Sequence, residues 1–136
     1  DRDPAEITIM GIKMCAINDD EELARRQAAF AIGQYAASRV YDRLFELHGW
    51  SGPQRTIRDA ARSRDTEALI AAVTDDMIDT IAIACTPAAF GERLTTVPDV
   101  FDHLDLIAPP WGLTYEQTMA CNRAIIDGLR GRPAAG

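Results

Sequence analysis

Residues 7–17 (ITIMGIKMCAI) restrict the fold of this chain more than any other segment. They are almost continuously apolar, and only Thr8 and Lys13 interrupt the run. A strand with one solvent-exposed face alternates apolar and polar residues, whereas a strand inside a parallel sheet is apolar on both faces. The segment therefore predicts a strand buried on both faces. Gly11 within it predicts a bulge or the close approach of another backbone.

Residues 104–108 (LDLIA) are the other good strand candidate, and Pro109 and Pro110 end it. Helical patterns fill the space between the two segments. This rhythm predicts an α/β fold that is predominantly helical, with about two parallel strands joined by a long right-handed helical crossover. A strand that is buried on both faces needs partner strands, and this chain offers only one other good candidate. We therefore expect residues 1–136 to be a single partial domain of a longer protein, with a frayed tail at residues 131–136.

Helix boundaries follow from capping residues. Asn18 or Asp19 is expected to cap a helix that kinks or breaks near residues 33–38, where Gly33 weakens it. An apolar stripe of Val40, Leu44 and Leu47 predicts a second buried helix face, which ends at Gly49. Residues 50–53 read as a loop. Residues 54–64 read as a polar helix, and Asp65 as the cap of a helix over residues 66–73.

Three further helices are expected in the second half. Thr74 caps the first, whose buried face is predicted at Met77, Ile78, Ile81 and Ala82, although residues 81–84 have the composition of an extended segment. Thr86 caps the second, with Pro87 in the first helical position. Thr114 and Gln117 form a capping box for the last. Its buried face is predicted at Met119, Ile125, Ile126 and Leu129.

Composition excludes several classes of protein. The 136 residues are 47% hydrophobic and 26% charged, with a net charge of −7. We therefore expect no nucleic-acid partner and no membrane partner, since basic residues form no dense block and no apolar run is long enough to span a bilayer. Cys15, Cys85 and Cys121 lie far apart in apolar surroundings. They predict buried, reduced thiols in a cytoplasmic protein, and no metal site.

Four segments together resemble a known family. Residues 3–9 (DPAEITI) resemble its entry to a late barrel strand, and residues 19–26 (DDEELARR) the acidic helix start that follows. Residues 45–50 (FELHGW) and 74–94 resemble later segments. In this order and spacing they are similar to the C-terminal part of the luciferase-like monooxygenase family, particularly its deazaflavin (coenzyme F420)-dependent oxidoreductases. Cys85 departs from the glycine usual before Thr-Pro, and residues 33–38 also differ from the family pattern.

The resemblance implies a fold, a cofactor and a reaction. The fold is a TIM (β/α)₈ barrel, in which residues 7–16 would be the seventh strand and residues 104–108 the eighth. The cofactor is coenzyme F420, or alternatively FMN. The full-length enzyme would act on a small-molecule substrate as an oxidoreductase or monooxygenase, and the resemblance allows a homo-oligomer. No catalytic residue carries over, and the chain alone is expected to be inactive.

In a barrel the active site lies at the carboxyl ends of the strands. Asn18 follows the first predicted strand and is either a ligand contact or a helix cap. Trp111 follows the second, where it either walls a flat ligand or anchors the loop. Lys13 either meets an anionic ligand or extends to the surface. The acidic pairs at helix starts are expected to serve as caps.

A second hypothesis needs no missing part. The chain would be a self-standing helical interaction domain without catalytic activity, which binds a partner through the exposed apolar strand at residues 7–17. The reading frame upstream of residue 1 distinguishes the two hypotheses, because the barrel requires six more strand–helix units there.

Overall fold

A three-stranded parallel sheet lies at the centre of the computed structural model, which describes residue 3 and residues 6–130. Its strands are β1 (Met10–Ile17), β2 (Ala82–Cys85) and β3 (His103–Ile107). The order is β2-β1-β3, and β1 runs parallel to both neighbours. The mixed α/β class and the parallel pairing of the two predicted strands are confirmed. The predicted tail at residues 131–136 lies outside the described residues.

Seven α-helices surround the sheet within the described residues. They are α1 (Glu21–Ala37), α2 (Asp42–Leu47), α3 (Ser51–Ser63), α4 (Thr66–Ala71), α5 (Asp75–Ile81), α6 (Pro87–Leu94) and α7 (Tyr115–Arg130), with a short 3₁₀ turn at Arg39–Tyr41 before α2. Helices α1 to α5 connect β1 to β2, whereas α6 connects β2 to β3.

The two faces of the sheet are covered by different helices. Met14, Ala16, Ala82 and Ala84 belong to a core formed mainly with α1, α3, α4 and α5. The alternate residues Cys15, Ile17, Ile83 and Cys85 pack against Phe90 of α6 and against Cys121 and Ile125 of α7. The result is a layer of helices on each side of one sheet.

Burial of β1 on both faces is confirmed only for its carboxyl-terminal half. Residues 14–17 are buried, whereas Met10 and Ile12 are 67% and 68% exposed. The reason is the pairing: β2 pairs with residues 14–17 alone, so the first half of β1 has only β3 beside it. Ile7 and Ile9 before the strand are also exposed.

The expectation of about two strands was wrong, because residues 82–85 form β2. Met77 and Ile78 are buried in α5 as predicted, but α5 ends at Ile81 and Ala82 is already extended, with φ −123° and ψ 167°. Pairing with the carboxyl-terminal half of β1 overrides the helical pattern of this segment.

The strand order differs from that of a simple barrel arc. In a (β/α)₈ barrel each strand is flanked by the strands before and after it, and the helices form one outer ring. Here β1 lies between the two strands that follow it, and helices cover both faces. The described residues therefore form an open sheet between two helical layers.

One predicted buried face was wrong, and the one predicted for α7 is confirmed only at Ile125. Val40, Leu44 and Leu47 are exposed, because the short helix α2 packs through Phe45 instead. In α7 the buried residues are Cys121 and Ile125, whereas three predicted ones are exposed: Met119, Ile126 and Leu129. Both helices bury a narrower stripe than their sequences predicted.

The predicted break near residues 33–38 is confirmed, since α1 continues through Gly33 and ends at Ala37. One glycine and one loop needed correction. Gly11 is approached by a side chain rather than by a backbone, since a Cβ there would lie 2.7 Å from the ring of Phe101. Residues 51–53 are not a loop but the first turn of α3, which extends that helix three residues toward the amino terminus.

The predicted caps are mostly confirmed. The side chains of Asp65 and Thr74 accept hydrogen bonds from the backbone N–H groups of Ala68 and Met77, at 2.9 and 3.3 Å. Thr114 and Gln117 form the capping box, with bonds of 2.8 and 3.2 Å. The cap of α1 is Asp20, one residue beyond the predicted Asn18 or Asp19.

Gly33 is required by packing, which makes a stability prediction possible. A Cβ at this position would lie 2.2 Å from Cδ2 of the buried Leu69. Gly33→Ala is therefore expected to lower the free energy of unfolding by about 1–3 kcal/mol through overpacking, although alanine favours helix by about 1 kcal/mol. In a Leu69→Ala background the same change should be neutral or stabilising. Urea unfolding of the four proteins measures both effects.

Gly91 in α6 provides the matched control. A Cβ there would meet no atom within 4 Å. Gly91→Ala is therefore expected to raise the free energy of unfolding by up to about 1 kcal/mol. Equal stabilisation by Gly33→Ala and Gly91→Ala would contradict the packing argument.

Candidate functional site

The carboxyl ends of the strands form a stepped edge. β1 and β2 end level with each other, because Ile17 pairs with Cys85, and the Asn18 N–H donates to the carbonyl of Cys85 at 3.2 Å. β3 ends earlier, with Ile107 opposite Met14. In open α/β sheets, ligands bind in the crevice outside the carboxyl ends of the strands. This edge is therefore the candidate site.

A small cavity lies directly beyond β1 and β2, and we call it the strand-end cavity. Its volume is about 210 Å³. The first helical residue of α6 and one face of α7 complete its walls. Its walls include Ile17, Asn18, Asp19, Gln27, Pro87 and Gln117.

A second cavity lies beside it, between α1, α4 and the loop that follows β3, and we call it the α1–α4 cleft. Its volume is about 320 Å³. Its walls include Leu23, Arg26, Phe30, Ile70 and Gly112. Gln27 and Gln117 line both cavities. The two cavities are thus neighbours that share two amide side chains.

Asn18 lines the strand-end cavity, as a ligand contact would. Its Oδ1 accepts a hydrogen bond from the N–H of Asp20 at 3.0 Å, and Asp20 Oδ1 in turn accepts from the N–H of Leu23 at 3.1 Å. The side-chain oxygen of Asn18 therefore organises the turn before α1, while Asp20 caps the helix. A ligand contact by Asn18 stays a prediction.

Trp111 does not line either of these cavities. It is 45% exposed, and its ring packs edge-on against Tyr35, with 4.8 Å between the ring centroids. Tyr35 packs edge-on against Tyr41 in the same way, at 5.1 Å. The structure thus separates the two candidates: Asn18 lies at the strand-end cavity, and Trp111 anchors the loop after β3.

Lys13 is half-buried and its ammonium group lies at an exposed position, as the surface alternative predicted. Its Nζ donates to the backbone carbonyl of Thr80, 2.7 Å away, in the last turn of α5. A cation is favourable there because the carbonyl end of a helix carries partial negative charge. Burial lowers the pKa of Lys13. Lys13 therefore connects β1 to the end of α5.

Gln27 is the residue at this edge that the sequence did not single out. The residue is 8% exposed, and its side-chain amide forms no hydrogen bond with any residue that the structure describes. The other buried glutamine, Gln54, donates to the carbonyl of Ala36 at 3.2 Å and to Asp42 at 3.3 Å. The available signal was a glutamine within an otherwise apolar stripe, next to Leu23 and Phe30.

The three thiols lie together on the α6–α7 side of the sheet, and all are buried and free. Cys121 Sγ donates to the carbonyl of Cys15 at 3.1 Å and accepts from the N–H of Ile17 at 3.4 Å. Burial raises the pKa of all three thiols, that of Cys15 to about 12. Since thiolates are the reactive form, these cysteines are structural.

Two findings concern the described part of the chain only. It contains no group of three or more His, Cys, Asp or Glu side chains that is placed to hold a metal ion. No helix in it combines the length and apolar character needed to cross a membrane.

Comparison with known proteins gives one match. The family model described as luciferase-like monooxygenase matches residues 1–103, which is about three quarters of the chain. The match includes β1, β2 and the cavity-lining residues Asn18, Asp19, Gln27 and Pro87. No significant match is found among curated proteins or among solved structures.

The buried Cys15 thiol predicts a loss of stability in alkali. Its pKa is raised from 9.0 to about 12 in the folded chain, so above pH 9 the unfolded chain loses this proton first. The free energy of unfolding is therefore expected to fall by about 1.4 kcal/mol per pH unit from this thiol between pH 9 and 12. Lys13, whose pKa is lowered by burial, opposes this fall just below pH 10.5.

Cys15→Ala tests the effect by urea unfolding at several pH values. The variant should have a shallower decline in stability above pH 9 than the parent chain, whatever its stability at neutral pH. Identical slopes would contradict ionisation-linked unfolding at Cys15.

Proposed function

Because the chain belongs to the luciferase-like monooxygenase family, we propose that it is the C-terminal segment of an F420-dependent oxidoreductase, with FMN as the alternative cofactor. The observation that carries this proposal is the family match over residues 1–103. Members of the family are oxidoreductases that generally use flavin-type cofactors. The preference for F420 depends on the resemblance of the four segments together to the deazaflavin-dependent members.

The proposal includes a TIM barrel of which this chain supplies the last strands. The pairing of β1 with β3 supports it, because neighbouring seventh and eighth strands would pair in this way. β2 occupies the other edge of β1, where a closed barrel would bring the sixth strand. The exposed Met10 and Ile12 would then be covered by the rest of the barrel.

The described residues suit part of the neutral ring region of such a cofactor but not its phosphate. The strand-end cavity offers amide groups and apolar walls, which suit part of the neutral region of a flavin or deazaflavin. Among the described residues, Arg26 is the single Lys or Arg at either cavity, and it forms an ion pair with Glu67. The cofactor phosphate would therefore have no unpaired cation there. The chain would thus form one wall of the cofactor site, and the proposed inactivity of the chain alone follows.

When bound, the cofactor would supply hydride chemistry, and this chain would orient ligands and exclude water at the strand ends. Ile17 and Pro87 form apolar parts of the wall, and the amide of Asn18 offers hydrogen bonds. We further propose a small-molecule substrate, a cytoplasmic location consistent with the three free thiols, and possible homo-oligomers.

Cofactor titration tests the proposal. F420 and FMN are titrated into this chain and into the product of the parent reading frame, with fluorescence as the readout. The chain alone is expected to show no saturable binding up to about 100 µM, which corresponds to a binding free energy weaker than about −5.5 kcal/mol. The parent protein should bind F420 more tightly than FMN. Tight binding by the chain alone would refute its inactivity, and an upstream frame without six strand–helix units would refute the barrel.

Asn18→Ala in the parent protein tests the site itself. We expect F420 affinity to fall by about fivefold to tenfold, the size of one lost hydrogen bond. Trp111→Ala tests the other candidate and serves as the comparison. A smaller effect is expected for it, because Trp111 lies outside both cavities. A larger loss of F420 affinity for Trp111→Ala than for Asn18→Ala would indicate that the cofactor binds at the loop after β3.

One observation favours the alternative, a self-standing helical interaction domain without catalytic activity. The helices of this chain cover both faces of residues 14–17, as they would in an independent unit. The exposed apolar residues Ile7, Ile9, Met10 and Ile12 would then be its binding surface. A start codon at or near residue 1 would favour this reading over the barrel.

A further inference from the structure

The side-chain amide of Gln27 lies at two cavities and forms no hydrogen bond with the rest of the described protein. The residue is 8% exposed, and its side chain lines both the strand-end cavity and the α1–α4 cleft. Its amide has no hydrogen-bond partner among the residues that the structure describes. Neither amide atom is among the fully buried, unpaired side-chain atoms of the described residues, so both face the open cavities. Gln27 is therefore available for a ligand.

The chemistry of a primary amide restricts that ligand. Oε1 accepts a hydrogen bond and Nε2 donates, so a ligand group with a donor and an acceptor on neighbouring atoms satisfies both at once. Carboxamides and lactams present this pair. A carboxylate would leave Oε1 without a donor.

The surroundings of Gln27 select against an anion and for an apolar body. Arg26, the nearest cation of the cleft, is paired with Glu67. Asp19 adds a carboxylate to the strand-end cavity, and the chain carries a net charge of −7. The α1–α4 cleft itself is walled by Leu23, Phe30 and Ile70. Its volume of about 320 Å³ suits a small ring rather than a large cofactor.

We propose that the α1–α4 cleft binds a small neutral molecule with one carboxamide or lactam group, whose N–H and C=O pair with Gln27 while its ring packs between Phe30 and Ile70. This names the class of substrate, and it rests on the proposed function only in treating the bound molecule as a substrate. Binding itself is tested without cofactor, so failure of F420 dependence and failure of this proposal are separate results.

Thermal unfolding of two matched variants tests whether Gln27 is unused by the fold. Methionine has nearly the shape of glutamine without its polar group. Gln27→Met is expected to raise Tm by a few degrees, because no hydrogen bond is lost and apolar burial is gained. Gln54→Met should lower Tm, because its bonds to Ala36 and Asp42 are lost. A comparable fall in Tm for both variants would overturn the proposal.

Binding is measured by two-dimensional ¹⁵N NMR with benzamide, benzoate and N,N-dimethylbenzamide as probes. Benzamide is expected to bind with a dissociation constant on the order of 1 mM and to shift the Nε2 protons of Gln27. Benzoate lacks the donor and is anionic, and N,N-dimethylbenzamide lacks the N–H, so both should bind at least fivefold more weakly.

Gln27→Met should weaken benzamide at least fivefold, whereas Gln34→Met is the control on the same helix and should leave the affinity unchanged. Gln34 is absent from the walls of both cavities. Equal affinity of the three probes, shifts confined to another part of the chain, or unchanged benzamide affinity in Gln27→Met would each overturn the proposal. The NMR spectrum of each variant also reports whether it is folded.

Discussion

The fold depends on the pairing of β1 with two strands that come later in the chain. β2 pairs with the carboxyl-terminal half of β1, and β3 pairs mainly with its amino-terminal half. Where β2 is present, helices cover both faces and residues 14–17 are buried. Where it is absent, Met10 and Ile12 remain exposed. Burial along a single strand therefore follows the extent of its partners rather than its own hydrophobicity.

This dependence explains which parts of the fold were predictable. Caps such as Asp65, Thr74 and Thr114 are local, because each side chain bonds a backbone N–H three residues away, and the sequence located them. β2 was not predictable in the same way. Residues 82–85 are apolar in either conformation, and only the register with β1 makes them a strand. The packing at Gly33 was not predictable for a similar reason, since the side chain that packs on it belongs to a helix more than thirty residues later.

The features of the candidate site also differ in whether local sequence could predict them. Position after a strand predicted that Asn18 lies at the carboxyl edge of the sheet, and the strand-end cavity is found there. It did not separate Asn18 from Trp111, whose loop turns away toward Tyr35. Gln27 was visible as a polar residue in an apolar stripe. Its lack of a partner became visible only when α1 was placed between two cavities, while Nε2 of the similar Gln54 was found bonded to Ala36 and Asp42.

The thiol of Cys121 has a consequence for the free edge of the sheet. β3 stops opposite Met14, so the carbonyl of Cys15 and the N–H of Ile17 would be left unpaired on that side, and the thiol bonds both. One side chain from α7 thus stands in for the continuation of a strand. A longer neighbouring strand would need the same two backbone groups, so helix and strand are mutually exclusive occupants of this position. Any rearrangement that lengthens the sheet there must first undock α7.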